Sequence, residues 1–529
     1  MPAPEKALRR DHISPADAKY RLDRKYLLGA IDVAAYPVPS TREQRAAMYH
    51  IVLPIAVAAA CRAKAVWSAR RGRRRLVALL LACSLAACST PQIDVPTARA
   101  QSATSALSVA DLTAQLPLSG GITMSNAALA RDFMELTFFL ESGRALPRFT
   151  RFEGPVTVRI AGAAPANAGP DLARLVSRLR SEAGIDISVV TTAKSAITIE
   201  FVPKRQIKAQ VPNAACFVVP NVTGWKDYRR AGRRANSDWT QLATRSHAAV
   251  FIPSDAAPQE VRDCLHEEIS QALGPLNDLY RLPDSIWNDD NFHTVLTGYD
   301  MTMLRAYYAP ELHSGLSPDE VFSRLPAIFA RINPAGNSGG VLPPAGATPR
   351  AFVTAIEQAL GPNATPARRR TAAFRAVQIA TDHGWRDTRA GFAWFVLGRL
   401  SVRDAPEAAL NAFVQAAAIY RATPGARIHA AHVDMQLAAF ALANGRAEDA
   451  MALVNRSLDV AVTAENPAMM ATLYMIRAEA LQSLGHAAEA RRARLDSGAW
   501  ARYGFGSDAA VRKRSAEVAA LANIDARQN

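Results

Sequence analysis

The sequence predicts an α+β domain followed by an all-α domain of helical repeats, and three observations support this. Segments with strand-like apolar patterns fall between residues 155 and 252, whereas the chain after residue 350 has only helical periodicity. A stretch rich in Gly and Pro, residues 333–349, separates the two regions. With 529 residues, the chain is also too long for a single compact core.

The composition is that of a folded protein, with 49% hydrophobic and 21% charged residues. The formal net charge of +15 suggests a nucleic-acid partner, but the location of the charge argues against one. Residues 1–88 hold 16 of the 62 Lys and Arg and 6 of the 47 Asp and Glu, so the rest of the chain carries about +5. The remaining Arg clusters lack interleaved aromatic residues that could stack on bases. We therefore expect no binding to nucleic acid.

The N-terminal part contains an export signal. A cluster of five Arg at 70–75 precedes an apolar run at 76–87, and Leu85-Ala86-Ala87 leads into Cys88. The run has about twelve residues and is too short for a membrane-spanning helix, which needs about 20. The pattern resembles a lipobox, and that resemblance implies a signal peptide at 66–87, which is cut off before a cysteine modified with diacylglycerol and fatty acids such as palmitate. Cys88 is therefore expected to anchor the protein to a membrane.

The residues around this signal have predicted roles of their own. Residues 1–65 are interpreted as mis-assigned upstream sequence, because a signal peptide does not normally follow so long an extension. Ser89 after the anchor cysteine resembles the Gram-negative sorting signal for the outer membrane rather than the inner membrane, with the protein facing the periplasm. Residues 88–126, rich in Ser, Thr, Ala and Pro, are predicted to form a tether.

The α+β domain is expected over 127–332. Strands are predicted at 155–160, 196–202, 216–219 and 247–252, and a helix at 171–180 with Gly184 as its C-cap. After the fourth strand, Ser254 or Asp255 is predicted to cap a helix that has Pro258 in its first turn and ends before Gly274. This domain also holds Cys216 and Cys264. In an oxidising compartment the two cysteines either form a disulfide or remain thiols, and their spacing leaves both outcomes open.

The all-α domain is expected over 350–525. Asp404, Gly445 and Gly485 are turn residues, each followed five positions later by Ala, at spacings of about 41 and 40 residues. Apolar helices flank each turn. The pattern resembles tetratricopeptide-type repeats, whose usual period is about 34 residues, and an irregular helical bundle is the alternative. The resemblance implies a protein partner bound on an extended surface.

The segment 264–278 carries the residues that are the best candidates for metal binding or catalysis. A zincin-type zinc site needs two His one helical turn apart and a Glu beside the first. His266 and Glu267 begin such a motif, but Ser270 stands where the second His is required. Zinc binding in this register is therefore not expected.

A register shifted by one residue fits better. It reads Glu267-Glu268-x-x-Gln271-x-x-Gly274-x-x-Asn277-Asp278 and resembles the metzincin layout, with Glu, Gln and Asn in the ligand positions and Glu268 in the position of the general base. At about 100° per residue, an apolar helical arc adjoins a second arc that contains Cys264, Glu267, Glu268 and Gln271. His266 and Ser270 point away from this second arc.

Further segments extend the resemblance. Ile286-Trp-Asn-Asp-Asp290 and the stretch from Asp300 to Tyr308 follow the motif. Together with it they resemble the family of unknown function DUF2927, over about residues 130–320. This resemblance implies a zincin-like fold and supplies no demonstrated activity.

Three interpretations of the motif remain open. It belongs to a non-catalytic zincin-like domain, to a divergent hydrolase that uses Glu268 as base, or to a non-catalytic site that binds a divalent metal ion. The metal ligands would be Glu267, Gln271, Asn277 and Asp278, whose oxygen atoms suit Mg²⁺, Ca²⁺ or Mn²⁺ better than Zn²⁺. Further candidate ligands, which otherwise cap turns, are His293, Asp289 and Asp290. We expect the non-catalytic form, with Glu268 held by an Arg or by backbone NH groups.

Overall fold

The computed structural model describes residues 124–192, 194–212, 214–231, 237–338, 347–361 and 364–522. Residues 1–65, the predicted signal peptide at 66–87, Cys88 and nearly all of the tether lie outside the described residues, as do residues 339–346 of the predicted linker. Among the described residues, we find no helix with the length and apolar character needed to cross a bilayer.

The first region is an α/β domain. Its strands are β1 Val156–Gly162, β2 Ile187–Val189, β3 Ile197–Val202, β4 Phe217–Pro220 and β5 Ala248–Pro253. Its helices are α1 Asn126–Phe138, α2 Ala168–Ala183, α3 Lys204–Gln210, α4 Trp225–Ala231, α5 Pro258–Leu273, α6 Gly298–Tyr307 and α7 Pro318–Ile332.

The five strands form one mixed sheet in the order β2-β1-β3-β5-β4. Neighbouring strands are parallel except at the edge, where β4 pairs antiparallel with β5. Every residue of β5 is buried, which explains its uninterrupted apolar sequence. The chain passes directly from β5 into α5, and α5 packs against β4, β5 and α2. The edge strand β4 and helix α5 therefore lie next to each other.

Local sequence signals explain most of these boundaries. Helix α2 ends at Gly184, whose φ of 69° places it in the left-handed region, as predicted for its C-cap. Helix α5 ends at Leu273, before Gly274, also as predicted. The predicted N-cap of α5 is wrong, because Ala257 holds that position without a side-chain cap. Asp255 instead accepts a hydrogen bond from the Lys204 backbone NH at 2.8 Å and so caps the start of α3.

The second region is all-helical. Its helices are α8 Arg350–Leu360, α9 Pro366–Asp382, α10 Thr388–Ser401, α11 Pro406–Ala422, α12 Arg427–Ala443, α13 Ala447–Thr463, α14 Pro467–Ser483, α15 Ala487–Phe505 and α16 Asp508–Ala522. Consecutive helices from α8 to α15 pack against each other.

Glycine has two roles in this helical region. Gly445 and Gly485, with φ of 67° and 82°, form the turns between α12 and α13 and between α14 and α15. Gly391 on α10 allows a close approach of α11, because a Cβ atom there would lie 2.5 Å from the ring of Tyr420. The absence of a side chain at Gly391 thus lets α10 and α11 pack closely.

The helical region also contacts the α/β region. Thr388 donates a hydrogen bond to the Tyr280 carbonyl at 2.7 Å, and the Tyr280 and Phe352 rings lie 5.7 Å apart between centroids. Arg262 on α5 donates to the Glu465 carbonyl at 2.7 Å. Tyr503 on α15 donates to Asp171 on α2 at 2.7 Å. The two regions therefore share an extensive polar and aromatic interface.

Candidate functional site

Helix α5 presents two different faces to its surroundings. Val261, Leu265 and Ile269 are fully buried in the main core of the α/β region. The adjoining face carries Cys264, which is buried, and Glu268, which is only 3% exposed. The shifted register therefore places the acidic motif at the border of the core, where water is largely excluded.

Cys216 and Cys264 are joined by a disulfide bond with an S–S distance of 2.07 Å. The bond links the residue before β4 to the middle of α5. The Cys216 sulfur and one carboxylate oxygen each of Glu267 and Glu268 lie within 4.8 Å of one another. The disulfide thus forms one wall of the acidic site, and its sulfur atoms are not available as thiolates.

The unshifted register needs His266 and position 270 as ligands, and both His266 and Ser270 lie on the opposite side of α5 from the disulfide. His266 is buried, and its Nδ1 atom accepts a hydrogen bond from the Leu296 backbone NH at 3.1 Å. Burial, and then the positive charge of Arg178, hold the pKa of His266 well below its usual value. Ser270 accepts a hydrogen bond from the indole NH of Trp287 at 3.0 Å. Neither side chain faces the disulfide, so this register forms no metal site.

The structure gives separate surroundings to the residues of the predicted metal set. Among the described His, Cys, Asp and Glu residues, only Cys216, Glu267 and Glu268 form a group whose potential ligand atoms lie within 4.8 Å of one another. Asp278 is not part of this group. Gln271 is buried on the next turn of α5. The side-chain amide of Asn277 donates to the Glu135 carbonyl at 2.9 Å and thereby holds the end of α5 to α1.

Among the residues that the structure describes, Glu268 has no neutralising neighbour. Its Oε2 atom is buried and has no hydrogen-bond partner within the described part of the chain. Burial raises the pKa of Glu268 well above its usual value, and the charges of Glu267 and Glu141 raise it further. Burial also raises the pKa of Glu267 to about 8. The Arg or backbone NH groups that the sequence predicts for Glu268 are not found at Oε2.

Three further carboxylates complete an acidic cluster, defined here as Glu141, Glu267, Glu268, Asp278 and Asp289. Asp278 has a buried Oδ1 without a hydrogen-bond partner among the described residues, and burial raises the pKa of Asp278 well above its usual value. Burial raises the pKa of Asp289 to about 7, while Tyr280 donates a hydrogen bond to it at 2.7 Å.

Glu141 is the member of the acidic cluster that sequence reasoning missed. It lies at the surface, in the turn that follows α1. Desolvation raises the pKa of Glu141, and a hydrogen bond with Asp278 opposes this effect. Glu357 on α8 raises the pKa of Glu141 further, so the helical region borders the acidic cluster. No local pattern around Glu141 distinguishes it from an ordinary surface turn.

Arg245 was also missed, although it fixes the end of the motif helix. Its buried guanidinium donates to the carbonyls of Gln271, Ala272 and Gly274 at 2.7, 2.8 and 2.6 Å. These carbonyls belong to the last turn of α5, where no further NH group of the helix can reach them. A Cβ atom at Gly274 would lie 3.1 Å from the Tyr307 ring, which is closer than most Cβ atoms approach a neighbour.

The other candidate ligands face the helical region. Asp290 and His429 on α12 form a buried pair with 2.8 Å between Oδ2 and Nε2. His293 contacts the Pro283 carbonyl through Nε2 at 3.2 Å. These side chains therefore belong to the interface between the regions and not to the acidic cluster.

The arrangement has two chemical capacities. Carboxylates with raised pKa values in a water-poor site can transfer protons near neutral pH. The same oxygen atoms can bind a hard cation, which would neutralise their charge. The described residues of the cluster contain no thiolate or imidazole that would favour zinc.

Comparisons with known proteins give one family match. Residues 126–327 match the model described as Protein of unknown function (DUF2927). The resemblance to this family, predicted for about residues 130–320, is therefore confirmed. No curated protein and no solved structure gives a match to the chain.

Proposed function

We propose that the chain is a cell-envelope lipoprotein, anchored to the outer membrane through Cys88 and facing the periplasm. Its α/β region is a zincin-like domain without zinc-dependent catalysis, and its helical region binds another protein. The lipobox-like segment before Cys88 supports the anchoring. A disulfide between Cys216 and Cys264 fits an oxidising compartment such as the periplasm.

The sheet topology supports the zincin-like assignment. Four strands are parallel, and the antiparallel edge strand β4 lies beside the helix that follows β5. This helix carries the motif Glu267-Glu268-x-x-Gln271-x-x-Gly274. In a zincin the corresponding helix supplies two His ligands and the general base next to the first His. The agreement lies in the position of the motif relative to the sheet.

The replacement of the zinc ligands is the observation that carries the non-catalytic proposal. Glu267 and Gln271 occupy the two helical ligand positions, and Asn277 occupies the third. Zinc prefers imidazole and thiolate ligands, and the carboxamide oxygens of Gln and Asn are weak substitutes. Asn277 also uses its amide group to hold α1. Such a set does not hold a catalytic zinc ion.

An activity assay tests this proposal. The purified full chain, loaded with Zn²⁺, Mn²⁺ or Ca²⁺, is incubated with unfolded protein and with a peptide library, and cleavage is followed by mass spectrometry. We expect no cleavage above that of the Glu268→Gln variant under any condition. Cleavage by the wild type that Glu268→Gln abolishes would replace the proposal with the peptidase alternative.

That alternative is a divergent metal-dependent peptidase acting on envelope proteins or peptides. The surroundings of Glu268 favour it, since burial and neighbouring charge raise the pKa of its carboxyl group as they do for many general bases. Glu268 would accept a proton from the attacking water molecule. The difference between wild type and Glu268→Gln in the same assay separates the two functions.

The lipid anchor has its own test. We expect Cys88→Ser to remain as an unprocessed precursor and to lose labelling by radioactive palmitate, because serine has no thiol to accept diacylglycerol. Cys61→Ser, within the predicted extension, is the matched control and should be labelled normally. Labelling of Cys88→Ser at the wild-type level would refute the assignment.

Protein binding by the helical region rests on its exposed apolar side chains. Leu495 on α15 is 80% exposed and Phe374 on α9 is 42% exposed. A photo-crosslinking amino acid at position 495 or 374 should give a discrete adduct in living cells. The same amino acid at Glu448, an exposed polar position on α13, should give none. Equal crosslinking at all three positions would contradict a specific surface.

A further inference from the structure

We propose that the acidic cluster binds one hard divalent cation, for which Ca²⁺ is the best fit, with Glu267 and Glu268 as the central ligands. Asp278 and Glu141 supply further oxygen atoms. This inference deepens the proposed function by assigning a ligand to the degenerate site of α5. It uses no zinc chemistry and requires no catalysis.

The first argument is the geometry of the two glutamates. Two oxygen atoms bound to one Ca²⁺ at about 2.4 Å lie no more than about 4.8 Å apart. Carboxylate oxygens of Glu267 and Glu268 lie within 4.8 Å of each other. Adjacent residues on one helix do not usually converge in this way, because their side chains point about 100° apart. The two carboxylates are therefore already placed to share an ion.

The second argument is the unbalanced charge. Glu268 is only 3% exposed to solvent, and its Oε2 atom has no hydrogen-bond partner among the described residues. The buried Oδ1 atom of Asp278 also has no hydrogen-bond partner within the described ranges. No ion pair joins Glu267, Glu268 or Asp278 to a basic residue in the described ranges. Burial of an ionised carboxylate is strongly unfavourable unless a cation or hydrogen-bond donors compensate for it.

The third argument concerns the kind of cation. The cluster offers carboxylate oxygens, while the sulfur atom of Cys216 is held in the disulfide. Hard oxygen donors favour Ca²⁺, Mg²⁺ and Mn²⁺ over Zn²⁺. Mg²⁺ demands octahedral geometry and keeps several water molecules, whereas Ca²⁺ accepts six to eight oxygens in irregular arrangements. A partly buried set drawn from a helix, a loop and a surface turn therefore fits Ca²⁺ best.

Glu141 is the member of the proposed ligand set that lies at the surface, where an ion can enter the site. Glu141 lies in an exposed turn, and its charge acts on both Asp278 and Glu268. We expect the side chains of Glu141 and Asp278 to turn toward an ion bound between Glu267 and Glu268. Glu357 on α8 adds negative charge near Glu141, which raises the local concentration of cations.

Calorimetric titration of the chelator-treated full chain with CaCl₂ tests the inference. We expect saturable binding of one Ca²⁺ per chain, accompanied by a rise in melting temperature, and at least tenfold weaker binding of Mg²⁺. Glu268→Gln and Glu141→Gln should each weaken Ca²⁺ binding at least tenfold. Glu141 is exposed, so its variant should fold even if Glu268→Gln does not.

Glu260→Gln is the matched control, since Glu260 lies on the same helix but pairs with Lys204 at 2.9 Å. It should bind Ca²⁺ as the wild type does. No saturable binding by the wild type at millimolar Ca²⁺, or equal affinity in wild type and Glu141→Gln, would overturn the inference. Either result would leave the scaffold proposal untouched, because the cleavage assay decides that proposal independently.

Discussion

Buried acidic residues near α5 and the segment that follows it differ in how their charge is balanced. Asp132 is completely buried and pairs with Arg281 at 2.6 Å, and it also accepts a hydrogen bond from Tyr299 at 3.2 Å. Glu268 and Asp278 each have a buried oxygen atom without a hydrogen-bond partner in the part of the chain that the structure describes. The chain therefore supplies a counter-charge where a carboxylate serves the fold. Where it supplies none, a ligand from outside is the physical expectation.

The largest expected effect comes from breaking the balanced group. Arg281→Met removes the buried cation that Asp132 shares with Glu135 and leaves Asp132 only the partly exposed Arg131 at 2.9 Å, which should lower the free energy of unfolding by about 3–5 kcal/mol. Urea unfolding followed by circular dichroism measures the loss. The double variant Arg281→Met with Asp132→Asn should recover part of it, because no buried charge remains. A loss below about 1 kcal/mol in the single variant would show that the pair contributes little.

The disulfide beside the unbalanced group should have the next largest effect. Replacing both Cys216 and Cys264 by Ala removes a covalent link across 48 residues and should destabilise the fold by about 2–4 kcal/mol. Wild type unfolded in the presence of a reducing agent should show a similar loss, whereas the double variant should not respond to the reducing agent. Unchanged stability in both experiments would contradict a structural role for the bond.

A histidine at the interface between the regions provides a pH-dependent comparison. Burial and the nearby His429 and Arg399 lower the pKa of His432 from 6.5 to about 3. The unfolded chain therefore binds a proton that the folded chain rejects, so this residue destabilises the fold as the pH falls below about 6.5. Between pH 7 and pH 5, the free energy of unfolding of His432→Asn should fall by about 1–2 kcal/mol less than that of the wild type. Parallel pH profiles in urea unfolding would rule this out.

The smallest expected effect is that of Glu268→Gln, which should not lower stability as Arg281→Met does. In chelator-treated protein, Glu268→Gln replaces a carboxylate whose buried Oε2 has no partner, and this should leave stability unchanged or raise it by about 1 kcal/mol. Glu260→Gln, which loses only a surface ion pair, should change stability by less than about 1 kcal/mol. Differential scanning calorimetry without divalent cations compares them. A clear loss of stability in Glu268→Gln would mean that the carboxylate has a structural partner.

Much of the fold is predictable from the sequence because its signals are local. The apolar runs of four strands and the helical periodicity of α5 identify these elements directly, and Gly184 and Gly274 mark helix ends. Strand β2, only three residues long, lacks enough sequence to show a pattern. The N-cap of α5 was misplaced because Asp255 bonds to Lys204, which is distant in sequence.

The candidate site is only partly predictable for the same reason. The helical spacing of Glu267, Glu268 and Gln271 is visible in the sequence, and so is their separation from His266. Glu141 and Arg245 come from other parts of the chain, and only the folded backbone brings them to α5. The two carboxamides at the ligand positions look equivalent in the sequence. The hydrogen bond from Asn277 to Glu135 distinguishes them only in three dimensions.

The bond between Arg262 on α5 and the Glu465 carbonyl has a consequence for the order of folding. Arg262 is 2% exposed in the folded protein. Its partner Glu465, however, is synthesised long after α5. Until that part of the chain is available, the guanidinium group remains in water and one face of α5 stays uncovered. Contacts between residues so distant in sequence slow folding, because their loops must close before the contacts stabilise anything. The surface of the α/β region is therefore complete only after the helices have packed against it. The two regions reach their final form together.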